Sequence, residues 1–124
     1  MGLFTDPVVL NDGVDPARSF SFRAQLSETG SVVGEYIEPA ATAAEDSTLT
    51  VKHTTSKDGT KRHLLQRSNS MLLPDGVTLS PIVVNFTLSH HPEMVLANVE
   101  KQVLLLIDAL GEANAVKNLM LELI

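Results

Sequence analysis

Thr48-Leu49-Thr50-Val51-Lys52-His53-Thr54-Thr55 is followed by Ser56-Lys57-Asp58-Gly59 and then by Thr60-Lys61-Arg62-His63-Leu64-Leu65-Gln66-Arg67. An Asp-Gly pair between two β-rich runs is the strongest short-range hairpin signal a sequence offers, because Gly accepts the positive φ of a tight return. A second turn, Pro74-Asp75-Gly76, leads to Ile82-Val83-Val84-Asn85-Phe86-Thr87-Leu88-Ser89. Residues 48–91 therefore read as three consecutive antiparallel strands. Side chains alternate across a strand. In the first strand Leu49, Val51 and His53 share one face, and Thr48, Thr50, Lys52 and Thr54 the other. In the last, Ile82, Val84, Phe86 and Leu88 oppose Val83, Asn85, Thr87 and Ser89. The middle strand admits two settings, because the adjacent Leu64 and Leu65 point opposite ways. Either Arg62, Leu64 and Gln66 or Lys61, His63, Leu65 and Arg67 lies on the polar face. Residues 72–81 read as a loop, and an exposed loop carrying Leu73, Val77 and Leu79 implies a partner.

Upstream, Pro7-Val8-Val9-Leu10 is a short apolar run before the turn signal Asn11-Asp12-Gly13. Phe20, Phe22, Ala24 and Leu26 then alternate with Ser19, Ser21, Arg23 and Gln25, the pattern of a strand with one buried face. Residues 1–26 read as a β-hairpin. Residues 27–30 are a turn, and 31–37 a strand weakened by Gly34. The Ala-rich acidic segment 39–46 is too short to hold a helix alone and reads as a loop.

Downstream, Pro92 suits the first position of a helix, with Glu93 at its favourable end. Leu96, Val99, Val103, Leu106, Ile107 and Leu110 recur at helical spacing, and Leu104 and Leu105 widen the stripe toward burial on more than one side. Gly111 is the expected C′ stop. A short second helix presents Val116, Leu119, Met120 and Leu123. Strands first and helices last is an α+β order, with residues 31–90 as the main sheet and 92–124 as two helices in one domain. The helices can cover only one face of the sheet. Their surplus apolar stripe predicts a homodimer that shares helices, with Val99, Val103, Leu106, Ile107, Leu110, Leu119 and Met120 at the interface.

Charge and composition narrow the function. The chain has 124 residues and a formal net charge of −6. Residues 48–91 hold five Lys or Arg against two acids, while the flanking parts are both acidic. The basic charge gathers on the first hairpin of the central stretch. That is a directed basic surface, or alternatively a solvated Lys-rich edge. The absence of cysteine excludes disulfides and thiolate metal sites. No run of about 20 apolar residues suggests a membrane span, and the N-terminus lacks signal-peptide character. A cytosol-made protein stabilised by packing alone is expected.

The ordered combination resembles the coat proteins of single-stranded RNA bacteriophages of the levivirus type, over nearly the whole chain. The resemblance is carried by Asp6-Pro7-Val8-Val9-Leu10-Asn11-Asp12-Gly13, and by Leu49-Thr50-Val51-Lys52-His53-Thr54 with Lys61-Arg62-His63-Leu64-Leu65 after the turn. Its third part is Val84-Asn85-Phe86-Thr87-Leu88 leading through His90-His91-Pro92 into the helices. The resemblance implies an N-terminal hairpin, a five-stranded antiparallel sheet and two C-terminal helices. It implies an intertwined homodimer with a continuous ten-stranded sheet, assembled into an icosahedral shell around genomic single-stranded RNA. The uncovered sheet face would meet RNA, in some members a hairpin that serves as translational operator. The implied RNA contacts are Lys52, Asn85, Thr87, Thr50 and Thr54, with Arg62 and Gln66 if the middle strand takes the first setting. Leu73-Pro74-Asp75-Gly76-Val77-Thr78-Leu79-Ser80 would meet its copies at symmetry axes. Members that stack a base on a strand aromatic would place it near Val83, which is aliphatic here. The implied location is the virion, after synthesis in the bacterial host cytoplasm.

Other classes find little support. His90 and His91 are adjacent and diverge on a strand. His53 and His63 are possible cross-strand neighbours, but two imidazoles without a spaced carboxylate make a weak metal site. No nucleophile elbow, P-loop or dinucleotide fingerprint is present. The expectation is a non-enzyme without cofactor, metal, membrane or small-molecule substrate. The alternative is a dimeric cellular RNA-binding or adaptor module that forms no shell.

Overall fold

The computed structural model describes residues 7–11, 18–28, 31–38 and 47–122. The turn at Asp12-Gly13, the Ala-rich segment 39–46 and Leu123 lie outside them. The chain divides into two compact units, Met1–Ser89 and His90–Ile124.

Among its described residues the first unit is a sheet of six strands in sequential order: β1 (Val8–Leu10), β2 (Arg18–Glu28), β3 (Ser31–Ile37), β4 (Ser47–Thr55), β5 (Lys61–Leu72) and β6 (Leu79–His90). The expected separate hairpin and five-stranded sheet are one sheet instead. β2 is long enough to pair with β1 through Arg18, Ser19 and Phe20 and then with β3 from Ser21 onward. Residues 31–90 supply four strands, and β2 is the fifth. The even alternation expected along β2 is also interrupted. Phe22 lies opposite Tyr36 while Ala24 lies opposite Glu35, so two steps on β2 match one on β3. Such a bulge puts the two strands out of phase.

The core sits on the Leu49 face. Phe20, Tyr36, Leu49 and Val51 are buried, with Leu10 and Leu65 packed against them. Phe22 meets Tyr36 edge-on, with ring centres 5.5 Å apart. Burying each large apolar side chain stabilises the fold by about 1.5–3 kcal/mol.

The β4–β5 return is wider than a two-residue turn. Thr55 lies opposite Lys61, and the loop is closed by the Ser56 and Gly59 amides, which donate to the Thr60 and Ser56 carbonyls at 3.0 Å each. Gly59 takes φ 89°, which a side chain would oppose. Asp58 accepts from the Ser56 hydroxyl and the Thr60 amide, and these bonds hold its carboxyl at about 2. The expected loop 72–81 is shorter, because β5 runs to Leu72 and β6 starts at Leu79. Leu79, Ser80 and Pro81 are therefore strand residues, and a strand proline is compatible with the edge position of β6.

The second unit holds α1 (Leu96–Leu110) and α2 (Ala115–Met120). The helix does not begin at Pro92. Residues 91–94 form a turn in which the Met94 amide donates to the His91 carbonyl at 3.1 Å and the Glu93 amide to His91 Nδ1 at 3.1 Å. Val95 is the N-cap, without a side-chain cap. α1 does end before Gly111, but this glycine is right-handed at φ −82°, and the left-handed residue between α1 and α2 is Asn114 at φ 63°. Asn is among the few non-glycine residues that adopt this region routinely. The helix is not buried on several sides within one chain. Leu104, Leu105, Leu106, Ile107 and Leu110 are all exposed, as are Leu119 and Met120 on α2. No helix among the described residues is long and apolar enough to cross a membrane.

Candidate nucleic-acid interface

Strand pairing decides which side chains share the polar face. Across β4 and β5, Thr48 lies opposite Ser68, Thr50 opposite Gln66, Lys52 opposite Leu64 and Thr54 opposite Arg62. Partners directly opposite in an antiparallel pair project to the same side. The middle strand thus adopts the setting with Arg62, Leu64 and Gln66 on the Lys52 face, and Lys61, His63, Leu65 and Arg67 go to the Leu49 face.

β6 joins the same surface. The Leu73 amide donates to the Thr78 carbonyl at 2.8 Å. Seven residues back from Leu73 is Gln66, and seven forward from Thr78 is Asn85. The Gln66 Nε2 group donates to Asn85 Oδ1 at 2.8 Å. Asn85 therefore lies on the Gln66 face, and alternation brings Val83, Thr87 and Ser89 with it. All seven residues proposed from the sequence as RNA contacts fall on this one face. A primary amide has two donors and one carbonyl acceptor, so the Gln66–Asn85 bond orients both side chains while using only part of their capacity. Lys52 and Arg62 are exposed diagonal neighbours across the β4–β5 pair. The tips of two long cationic side chains placed in this way reach one shared region of surface.

Sequence reasoning missed the contribution of β3. Val33 lies opposite Lys52, Glu35 opposite Thr50 and Ile37 opposite Thr48. The face therefore includes a carboxylate and an apolar margin. Alternation along 31–37 placed Val33, Glu35 and Ile37 together, but only the β3–β4 register shows which side of the sheet they join.

The opposite face uses its charges internally. Arg67 lies over the Phe20 ring, 4.9 Å from its centre. Its Nη2 donates to Ser47 Oγ at 2.8 Å, and its Nη1 to the Thr48 carbonyl at 3.2 Å and to the Ser68 carbonyl. Buried Ser47 donates in turn to Glu38 at 2.8 Å, and Arg18 grips the same carboxylate through Nε at 3.0 Å and Nη2 at 2.8 Å. Burial pushes the Glu38 carboxyl up, but the hydrogen bonds from Arg18 and Ser47 and the charges of Arg18 and Arg67 outweigh it and hold it lowered. Arg67 is lowered by burial first and by the Arg18 charge second, against the pull of Glu38.

The proposed symmetry-axis loop is internally ordered. Asp75 Oδ1 accepts from the Val77 and Thr78 amides at 2.9 Å each, and Oδ2 from the Thr78 hydroxyl at 2.6 Å. The Thr78 bonds lead in holding its carboxyl below the usual range. Gly76 supplies φ 73° at the bend, and Val77 stands out from the tip at 83% exposure.

No family model matches the chain, and no curated protein matches it. Among solved structures it is similar to the coat protein of bacteriophage EMS014. The TM-score is 0.60 at 16% identity, over 86% of this chain and 73% of that one. An identity so low speaks to architecture alone. Six antiparallel strands in sequence order followed by two helices, matched over most of both chains, give this protein the fold of a bacteriophage coat protein.

Proposed function

We propose that this protein is a structural, non-enzymatic capsid subunit that forms homodimers, self-assembles into an icosahedral shell and packages single-stranded RNA. The observation that carries the reading is the coat-protein fold, joined to a sheet with one core face and one polar face. Lys52 and Arg62 would neutralise phosphates, and Thr50, Thr54, Gln66, Asn85 and Thr87 would hydrogen-bond phosphates or bases. A shell repeats this face many times, so a few cations per subunit suffice. A genomic hairpin bound here would act as operator and packaging signal. With Val83 aliphatic, recognition runs through hydrogen bonds rather than stacking, which contributes ~1–3 kcal/mol per base where it occurs.

The exposed apolar stripe of α1 and α2 supports a partner of the same kind. In the dimer the two sheets join edge to edge. β2 to β6 of each copy make the ten strands, and Val99, Val103, Leu106, Ile107, Leu110, Leu119 and Met120 close the helical interface. The segment Leu73–Ser80, a loop that runs into the start of β6, meets its copies around symmetry axes with Val77 at its tip. The natural location is the virion, after synthesis in the host cytoplasm.

Size-exclusion chromatography and electron microscopy of the recombinant chain test this reading. Closed particles holding nuclease-protected RNA are expected, and a small dimer under all conditions with no protected RNA overturns it. Replacing Lys52 and Asn85 together by Ala lowers protected RNA while leaving dimer stability unchanged; equal RNA content refutes the assigned face. Leu106→Asp abolishes the dimer by burying an unpaired charge; intact particles would place the interface elsewhere.

A further inference from the structure

His53 and His63 lie directly opposite each other across β4 and β5, on the Leu49 face. Their ring centres are 5.1 Å apart and the rings are inclined at 70°. The two Nδ1 atoms approach to 2.8 Å. A neutral imidazole has one N–H and one lone pair, so one Nδ1 donates and the other accepts. Two ligand nitrogens thereby lie within reach of one ion, once each ring turns its Nδ1 lone pair off the line that joins them. His53 is exposed and His63 half-exposed, near the turn end of the hairpin.

We propose that this cross-strand pair is a two-nitrogen site for a divalent transition-metal ion of tetragonal or octahedral preference, Cu2+ or Ni2+ ahead of Zn2+. A bond from metal to imidazole nitrogen is ~2.0–2.1 Å long. Nitrogens separated by 2.8 Å then subtend ~86° at the ion, close to the right angle between adjacent corners of a tetragonal or octahedral shell. A tetrahedral ion at the same bond length needs nitrogens ~3.3 Å apart, so zinc would have to spread the pair. Two imidazoles without a spaced carboxylate make a weak zinc site, but a tetragonal ion accepts two protein nitrogens and water. Among the described residues no group of three or more metal-ligating side chains occurs, so water completes the shell.

Binding takes the lone pair of each Nδ1. The ring that had donated moves its proton from Nδ1 to Nε2 through solvent, and the neutral pair releases no net proton. Lys61 shares this face, two residues from His63, and its ammonium donates to the Thr55 hydroxyl at 3.1 Å. β3 places Val32 opposite His53. With a cation nearby and water in the other positions, the ion exchanges readily.

The test uses the full chain without an affinity tag, titrated with Cu2+ under electron paramagnetic resonance and with Ni2+ and Zn2+ by calorimetry. One ion per chain with two nitrogen ligands is expected, with Ni2+ bound at least as tightly as Zn2+. H53A and H63A each weaken binding by ~100-fold or more, beyond the ~10–100-fold that loss of an outer-shell partner costs. H63Q repeats the loss with a side chain closer in size and polarity, which separates a ligand from a folding role. Replacing His90 and His91 together by Ala changes nothing. Wild-type affinity in H53A and H63Q, a one-nitrogen spectrum, Zn2+ ahead of Ni2+, or loss of binding on replacing His90 and His91 overturns the proposal.

Discussion

Arg62 and Arg67 leave the same strand five residues apart and end in opposite situations. Arg67 is turned to the core face, where an aromatic ring, a buried serine and two backbone carbonyls take up its guanidinium. Arg62 is exposed on the other face, beside Thr54 and diagonal to Lys52. Burying an arginine costs several kcal/mol unless its donors are matched, and the first environment supplies that match. A solvated arginine costs little to keep and stays available to an anion. The same residue type is therefore a structural tie on one face and stands solvated on the other, and only the parity of its position separates the two settings.

Substitutions can break this contrast, and the largest effect belongs to the ring beneath Arg67. Phe20 is 1% exposed and sits at the centre of the core. Phe20→Ala removes the ring and the seat of the guanidinium together, so a loss of about 3–5 kcal/mol is expected in denaturant unfolding. A loss below ~1 kcal/mol, the centre of the distribution for point substitutions, would show that the core is not organised around this ring.

The paired arginines give the next effect. Arg67→Ala removes the guanidinium's bonds to Ser47 and to the Thr48 carbonyl, and a hydrogen bond to a charged group contributes about 1.5–3 kcal/mol. Arg62→Ala changes stability by no more than ~0.5 kcal/mol, as exposed substitutions usually do. Equal losses from the two variants would erase the distinction between the faces. If the Lys52 face meets RNA as proposed, the ranking reverses for nuclease-protected RNA in purified particles, with Arg62→Ala the more damaging change.

The Lys52 face was legible on β4 and β6 because Thr, Lys, Asn and Ser alternate there with Leu, Val, Ile and Phe. On β5 it was not, because adjacent Leu64 and Leu65 satisfy both settings and the Ser56–Thr60 return does not announce its length. Long-range pairing with β4 resolved it. The bulge at Arg23 was hidden for a related reason: a strand that keeps alternating in sequence can still slip against its neighbour. Pro92 was a sound candidate for a helix start on local grounds, yet the His91 ring and carbonyl hold a turn there first. The Arg18–Glu38–Ser47–Arg67 network joins four distant points of the chain, and no local pattern signals it. The surplus apolar helix surface, by contrast, was readable from spacing alone, and it is surplus in the single chain.

The smallest expected effect is a pH dependence at Glu38, on the core face. The Glu38 carboxyl lies lower in the folded chain than its ordinary 4.5. A group depressed by folding binds fewer protons when folded than when unfolded, so it adds stability above its unfolded value. That stability is lost as pH falls from 4.5 through the lower folded value. Glu38→Gln keeps the shape and removes the titration. The variant is therefore less stable than the parent at neutral pH, and its stability changes less across the acid window. Urea unfolding at pH 7, 5 and 3 reads the difference directly. An acid profile for Glu38→Gln that matches the parent's would show that folding does not lower the Glu38 carboxyl.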